Sequence, residues 1–272
     1  MTSIDKTKVL SRNNITVQGN GEQAILFVHG YGCDQNMWRF VIPDFLEDYK
    51  VILMDHVGAG NSDESYYSKQ KYGNLQGYAD DILEVCKVLD LKELIIVGHS
   101  VSAMIALLAA NKEPELFSNI IMIGPSPCYV NKNGYRGGFN QEDIDDLLNT
   151  LDKNYLGWAA TMAPAIMGNP ERPELGEELK NSFCQSNPEI AKHFAQVTFL
   201  SDNREDLPKL HIPTLIIQSK EDVIASLEVA QYVYNQIPTS TLEIIDATGH
   251  CPNLSAPKHT VSAIKQYLQG QE

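Results

Sequence analysis

The sequence predicts an α/β architecture: a mainly parallel sheet with helices on both faces, interrupted by an inserted helical cap. Short runs that are apolar at every position, such as Ala24-Ile25-Leu26-Phe27-Val28 and Leu94-Ile95-Ile96-Val97, suit strands covered on both sides. Helically spaced stretches separate them, which is the signature of βαβ units. The alternation stops after Gly124 and resumes near Pro213, which marks the insertion.

Taken in order, Asn14-Ile15-Thr16-Val17 reads as an edge strand, closed by Gly19-Asn20-Gly21. The buried run Ala24–Val28 leads into His29-Gly30-Tyr31-Gly32, then a helix is expected from about Met37 to Leu46. Val51-Ile52-Leu53-Met54 is the next strand, and Asp55 with Gly58-Ala59-Gly60-Asn61-Ser62 follows as a structural turn. Leu75 to Leu89 places Tyr78, Ile82, Val85 and Leu89 on one helical face. Leu94–Val97 and Ile120-Ile121-Met122-Ile123 are further strands, with the helix-forming run Ala103–Ala110 between them. From about residue 131 to 199 no buried strand run occurs. Acidic residues there mix with aromatics and Met, and Pro164, Pro170, Pro173 and Pro188 are expected to cut the segment into short helices. The core is therefore 1–130 together with 200–272, and 131–199 is the cap. Pro213–Ile217, a helix over about 227–236, Leu242–Ile245 and a final helix to about Leu268 complete the core.

Composition narrows the function. A chain of 272 residues, 43% hydrophobic, can build one large core. Its net charge of −14 argues against nucleic acid or an anionic membrane as partner. No apolar run approaches the ~20 residues of a membrane helix. The start, Met1-Thr2-Ser3-Ile4-Asp5-Lys6, lacks the apolar stretch of a signal peptide. Cys33, Cys86, Cys128, Cys184 and Cys251 are odd in number and scattered, which suits reduced thiols in the cytoplasm and argues against a metal site.

The chemistry centres on Gly98-His99-Ser100-Val101-Ser102, a serine between a strand and a helix. It nearly meets G-x-S-x-G, with Ser102 in the last position. Such a serine taken alone is an ordinary turn residue. A serine hydroxyl becomes a nucleophile only with a base, and the base needs an orienting partner. Sites in parallel sheets lie at the carboxyl ends of strands, and two suitable residues follow later strands: Asp222 in Ser219-Lys220-Glu221-Asp222 and His250 in Gly249-His250-Cys251. Glu221 is a rival for the acid. The oxyanion hole is expected from the N–H groups of Val101, just after the serine, and Tyr31, in the loop after the first buried strand. His29 and His99 read as packing or loop-ordering residues, and Cys251 as a small packing residue. Phe139, Trp158, Met162, Phe194 and Phe199 are the cap side chains expected to line a substrate pocket, although they could equally be the cap's own core.

These residues resemble the α/β-hydrolase superfamily, through His29-Gly30, Asp55-x-x-Gly58-x-Gly60-x-Ser62, the serine turn, Asp222 and Gly249-His250. The chain order Ser100, Asp222, His250 matches that family, and the resemblance implies Asp222 rather than Glu221 as the acid. The sequence further resembles RsbQ-type hydrolases of the bacterial sigma-B stress pathway and their plant relatives, the karrikin and strigolactone receptor hydrolases. Gly32-Cys33-Asp34-Gln35, Gly124-Pro125-Ser126-Pro127-Cys128-Tyr129, Gly137-Gly138-Phe139, Asn154-Tyr155-x-Gly157-Trp158 and Ser201-Asp202-x-Arg204-Glu205-Asp206-Leu207 carry that likeness. Ser102 matches the plant branch, where the RsbQ branch has glycine, whereas Pro125–Tyr129 leans to the bacterial branch.

The resemblance implies the α/β-hydrolase fold, a four-helix cap over a hydrophobic pocket, and slow hydrolysis of small apolar esters, lactones or enol ethers without a cofactor. It also implies a role in stress signalling with a regulatory phosphatase as partner. Two other readings stand beside it. One is a ligand-sensing regulator whose output is partner binding with incidental hydrolysis, and the other is a general metabolic carboxylesterase. Dehalogenases and epoxide hydrolases are disfavoured, because they place an aspartate where Ser100 stands.

Overall fold

The computed structural model describes residues 5–270; most of the start used above to judge a signal peptide, residues 1–4, lies outside the described residues. A helix not anticipated from the sequence, α1 (Lys6–Arg12), precedes the edge strand β1 (Thr16–Gln18). There follow β2 (Ala24–Val28), β3 (Lys50–Met54), α2 (Leu75–Leu89), β4 (Leu94–His99), α3 (Val101–Lys112) and β5 (Phe117–Ile123). Four helices are then inserted: α4 (Gln141–Lys153), α5 (Tyr155–Met167), α6 (Pro173–Gln185) and α7 (Pro188–Phe199). The sheet resumes with β6 (Thr214–Glu221), α8 (Leu227–Gln236) and β7 (Ser240–Thr248), and the chain closes with α9 (Pro252–Ser255) and α10 (Pro257–Gln269).

The seven strands lie in the order β1-β3-β2-β4-β5-β6-β7. Among the described residues only β1 runs antiparallel to its neighbour. Side-chain alternation splits each central strand between two apolar layers. Ile25, Phe27, Ile95, Val97, Ile121 and Ile123 meet Trp38, Phe45 and much of the inserted segment on one face. Leu26, Val28, Ile96, Ile120 and Met122 meet α2 and the Ala-rich α3 on the other. The expected mainly parallel sheet with helices on both faces is present.

Two expectations need correction. The helix expected over Met37–Leu46 is instead two 3₁₀ turns, Gln35–Trp38 and Ile42–Phe45. Pro43 has no N–H to give a continuous helix and can sit only at the start of a new turn. In the insertion, Pro173 and Pro188 do begin helices, but Pro164 stands inside α5. Packing of α5 against α6 and the core outweighs the one lost hydrogen bond there. Among the described residues no helix is long and apolar enough to cross a membrane, and all five cysteines are free thiols.

Candidate active site

Ser100 sits where β4 turns directly into α3. Its backbone is forced to φ 57° and ψ −124°, a conformation costing about 1–3 kcal/mol for a residue with a side chain. Two features hold it there. The Ser100 N–H donates to the Ile123 carbonyl at 2.8 Å, and the flanking strand and helix are buried. The tight turn also requires Gly98, since a Cβ there would lie 2.4 Å from the Ser102 carbonyl oxygen. As the first residue of α3, Val101 has an N–H with no acceptor inside the helix, at the positive end of its dipole.

His250 follows β7, and its N–H donates to the Ile166 carbonyl of α5 at 2.9 Å. Its Nε2 lies 2.8 Å from Ser100 Oγ, and its Nδ1 lies 2.7 Å from Asp222 Oδ2. An ionised carboxylate can only accept, so Nδ1 carries the ring proton and Nε2 is left to accept from the serine. Asp222 comes just after β6. Burial alone would raise its pKa, but His250 and the N–H groups of Ile224 and Ala225 hold it below the usual carboxylate value. Glu221 is still part of β6, faces solvent, and accepts from Thr248 Oγ1 instead. Of the two acids, Asp222 is the one that meets the histidine.

The other two histidines serve the loops. His99 Nε2–H donates to the His250 carbonyl at 2.7 Å, and burial holds the His99 ring neutral, with its pKa down at about 3. Gly30 passes so close to that ring that a Cβ would lie 2.6 Å from His99 Nδ1. His29 is fully buried and is bonded within its own loop. Asp55 accepts from the N–H groups of Gln35 and Asn61 and from the Asn14 amide, which ties three loops together.

Ser100 and His250 open into a small cavity with about 30 Å³ of free volume. Trp158 and Phe199 line it, as does the Tyr31 ring. Three of the expected pocket residues do not. Phe139 bridges Val130 beside the insertion, Phe194 stacks on Tyr78 of α2 with ring centres 4.4 Å apart, and Met162 packs half-buried against the core. Both Phe194 and Phe199 are on α7, but Phe194 is directed over α2 and His56 rather than over the serine. The remaining wall includes Tyr129, Ile166, Leu179, Phe183 and Ile224, which sequence reasoning did not single out. For Tyr129 a signal existed, because it lies shortly beyond the carboxyl end of β5. Phe183 had only its Leu179 neighbour one helical turn away.

The thiols of Cys33 and Cys251, also in the wall, are pushed up by burial and do not compete as nucleophiles. Larger surface grooves, such as one of about 570 Å³ beside Arg172 and Lys220, lie away from the serine.

This chain belongs to the α/β-hydrolase fold family, whose pattern matches residues 23–257. It is a hydrolase of that family. It is 34% identical over 257 residues to the karrikin insensitive 2 receptor CA of Petunia hybrida, covering 94% of this chain and 95% of the relative. Against the strigolactone esterase D14 of Arabidopsis thaliana it is also 34% identical, over 96% of this chain and 97% of that one. The solved structure of a hydrolase from Oleispira antarctica superposes with a TM-score of 0.95 at 44% identity, covering 98% of both chains.

Proposed function

We propose that this protein is a serine hydrolase acting on small hydrophobic esters, lactones or enol ethers, with residues 131–199 as a cap over the site. Ser100 attacks the carbonyl carbon of an ester or lactone group, which an enol-ether substrate must also carry, while His250 Nε2 takes the serine proton. The carbonyl oxygen becomes an oxyanion, held by the N–H groups of Val101 and Tyr31. The tetrahedral intermediate collapses, the C–O bond breaks, and His250 returns the proton to the leaving alkoxide. Water then repeats the sequence on the acyl-enzyme, giving the acid and free Ser100. Asp222 fixes the His250 tautomer and stabilises its charged form. No step draws on a cofactor.

The observation that carries this reading is the pair of hydrogen bonds running from Asp222 through His250 to Ser100 at the mouth of an apolar cavity. The cavity is small, with about 30 Å³ of free volume, and its wall is mainly aromatic and aliphatic, which favours small apolar acyl groups. The test is labelling with a fluorophosphonate followed by peptide mass spectrometry. Modification at Ser100 alone is expected, and modification at Ser102 or at neither serine overturns the reading.

The names of the relatives, one a receptor and one a strigolactone esterase, support a second reading. In it the protein senses a small lactone-like ligand in the cytoplasm. In an RsbQ-like stress role, it passes the signal to a regulatory phosphatase. A Ser100→Ala variant that keeps full signalling without turnover would favour sensing, whereas loss of both would favour hydrolysis as the output. Broad, fast cleavage of many acyl esters with no partner bound would point to a metabolic carboxylesterase instead.

A further inference from the structure

Ser102 occupies the position where G-x-S-x-G ends in glycine, and its side chain is fully buried. Its Oγ donates to the His29 carbonyl oxygen, and His56 Nε2 lies 2.7 Å from the same Oγ. A hydroxyl has one proton, and a carbonyl can only accept it. His56 must therefore donate from Nε2, which leaves its Nδ1 bare. That atom is indeed buried without a hydrogen-bond partner among the described residues. Burial, with His29 nearby, keeps the His56 ring neutral. The His56 N–H closes the circuit by donating to His29 Nε2 at 3.0 Å, and His29 Nδ1–H donates to the Gly30 carbonyl at 2.8 Å. Every proton in this set has one consistent place.

The bond from Ser102 to His29 ties the first turn of α3 to the loop that follows β2. Val101 is adjacent to Ser102 at the start of α3, and Tyr31 is two residues beyond His29 in the loop after β2. We infer that Ser102 and His56 are positioning residues that brace the two halves of the oxyanion hole, fixing the Val101 and Tyr31 N–H groups relative to one another. The inference rests on the assignment of those two groups as the oxyanion donors. The serine in place of glycine is then a cross-strut. Ser102 has no spare proton and no path to the cavity, so it is not a second nucleophile.

The experiment uses the full chain with p-nitrophenyl butyrate as substrate and a trifluoromethyl ketone as inhibitor. The ketone adds to the nucleophilic serine and places an oxyanion in the hole. Rates are normalised to sites titrated by a fluorophosphonate, so partial misfolding is counted out.

Ser102→Ala is expected to lower kcat roughly tenfold, less than the ~10²–10³ lost with a whole donor. KM should stay within about twofold, and ketone affinity should fall by the same factor as kcat. Ser102→Gly should behave alike. His56→Leu should lose less, His56→Gln should recover most of it through its amide donor, and Ser102→Ala with His56→Leu should be no worse than Ser102→Ala alone. The proposal is overturned if the Ser102 variants keep kcat and ketone affinity within about twofold of the parent, or if their loss lies in KM alone. Should neither Ser102 variant fold, an unchanged His56→Leu overturns it. A parent chain that neither turns over substrate nor labels at Ser100 would bring down the hydrolase mechanism itself. A labelled, active parent with unaffected variants removes only the brace.

Discussion

Two serine–histidine pairs sit two residues apart on the same turn. Ser100 meets His250 at 2.8 Å and Ser102 meets His56 at 2.7 Å. By distance alone they are the same motif. They differ in what stands behind each member. His250 has Asp222 at its Nδ1 and so presents an accepting Nε2, whereas the bare Nδ1 of His56 leaves its Nε2 as a donor. Ser100 is held in a strained turn at a cavity, whereas Ser102 is buried in the first turn of α3 with its proton committed to His29. A serine beside a histidine is thus a nucleophile only when the histidine can take the proton and the oxygen can reach a substrate. One carboxylate and one backbone turn separate the two outcomes.

The sharpest way to break this contrast is to remove Ser100 or His250. Ser100→Ala and His250→Ala should each reduce kcat for p-nitrophenyl butyrate by about 10⁴–10⁶-fold, with the two together little worse than either. Retained activity in either would mean that the 2.8 Å pair is structural, like its neighbour.

Asp222→Asn tests the carboxylate alone. The amide keeps the shape but favours the wrong histidine tautomer, so kcat should fall ~10⁴-fold. A loss under about tenfold would show that Asp222 only holds the loop.

A smaller effect separates the wall of the cavity from its surroundings. Trp158→Ala should raise KM for a hydrophobic ester by roughly tenfold, and Phe139→Ala should leave it within about twofold, because only the former faces Ser100. Equal effects would undo the sorting of the aromatic residues.

The mildest test concerns pH. His56 and His99 are buried neutral, with native values below the ordinary ~6.5 that they regain on unfolding. Below that value the unfolded chain binds more protons than the native one. Their contribution is therefore complete above pH ~6.5 and drains as pH falls towards the native values, by about 1.4 kcal/mol per pH unit for each histidine. The urea midpoint should drop between pH 7 and pH 5, and less steeply in His56→Leu. A slope equal to the parent's would mean that His56 takes up a proton while folded.

Much of the site could be read in the sequence because its parts obey local rules. Apolar runs mark buried strands, and the glycine before a serine marks a turn too tight for a Cβ. Asp222 and His250 stand just past two such runs, so a parallel sheet brings both to the end where Ser100 lies. The exchange of one long helix for two short turns at Pro43 is equally local, because a proline overrides the apolar spacing around it. The aromatic residues of the insertion are different. Trp158, Phe194 and Phe199 are equivalent by type, and which of them faces the serine depends on how α5 and α7 pack: Phe194 is turned onto Tyr78 of α2, whereas Trp158 and Phe199 line the cavity.

By itself, then, the sequence determined the strand order of chemistry: which residue follows which strand, and that a serine, an acid and a histidine share one sheet edge. The family resemblance already favoured Asp222 over Glu221, and the tertiary structure supplies the physical reason: Asp222 meets His250, whereas Glu221 ends β6 exposed to solvent. The tertiary structure alone sorted the cavity wall and joined Ser102 to His29 and His56, 73 and 46 residues away. Periodicity and turn chemistry act between neighbours in the chain, whereas a hydrogen bond's direction and a ring's orientation are set by elements that meet only after folding.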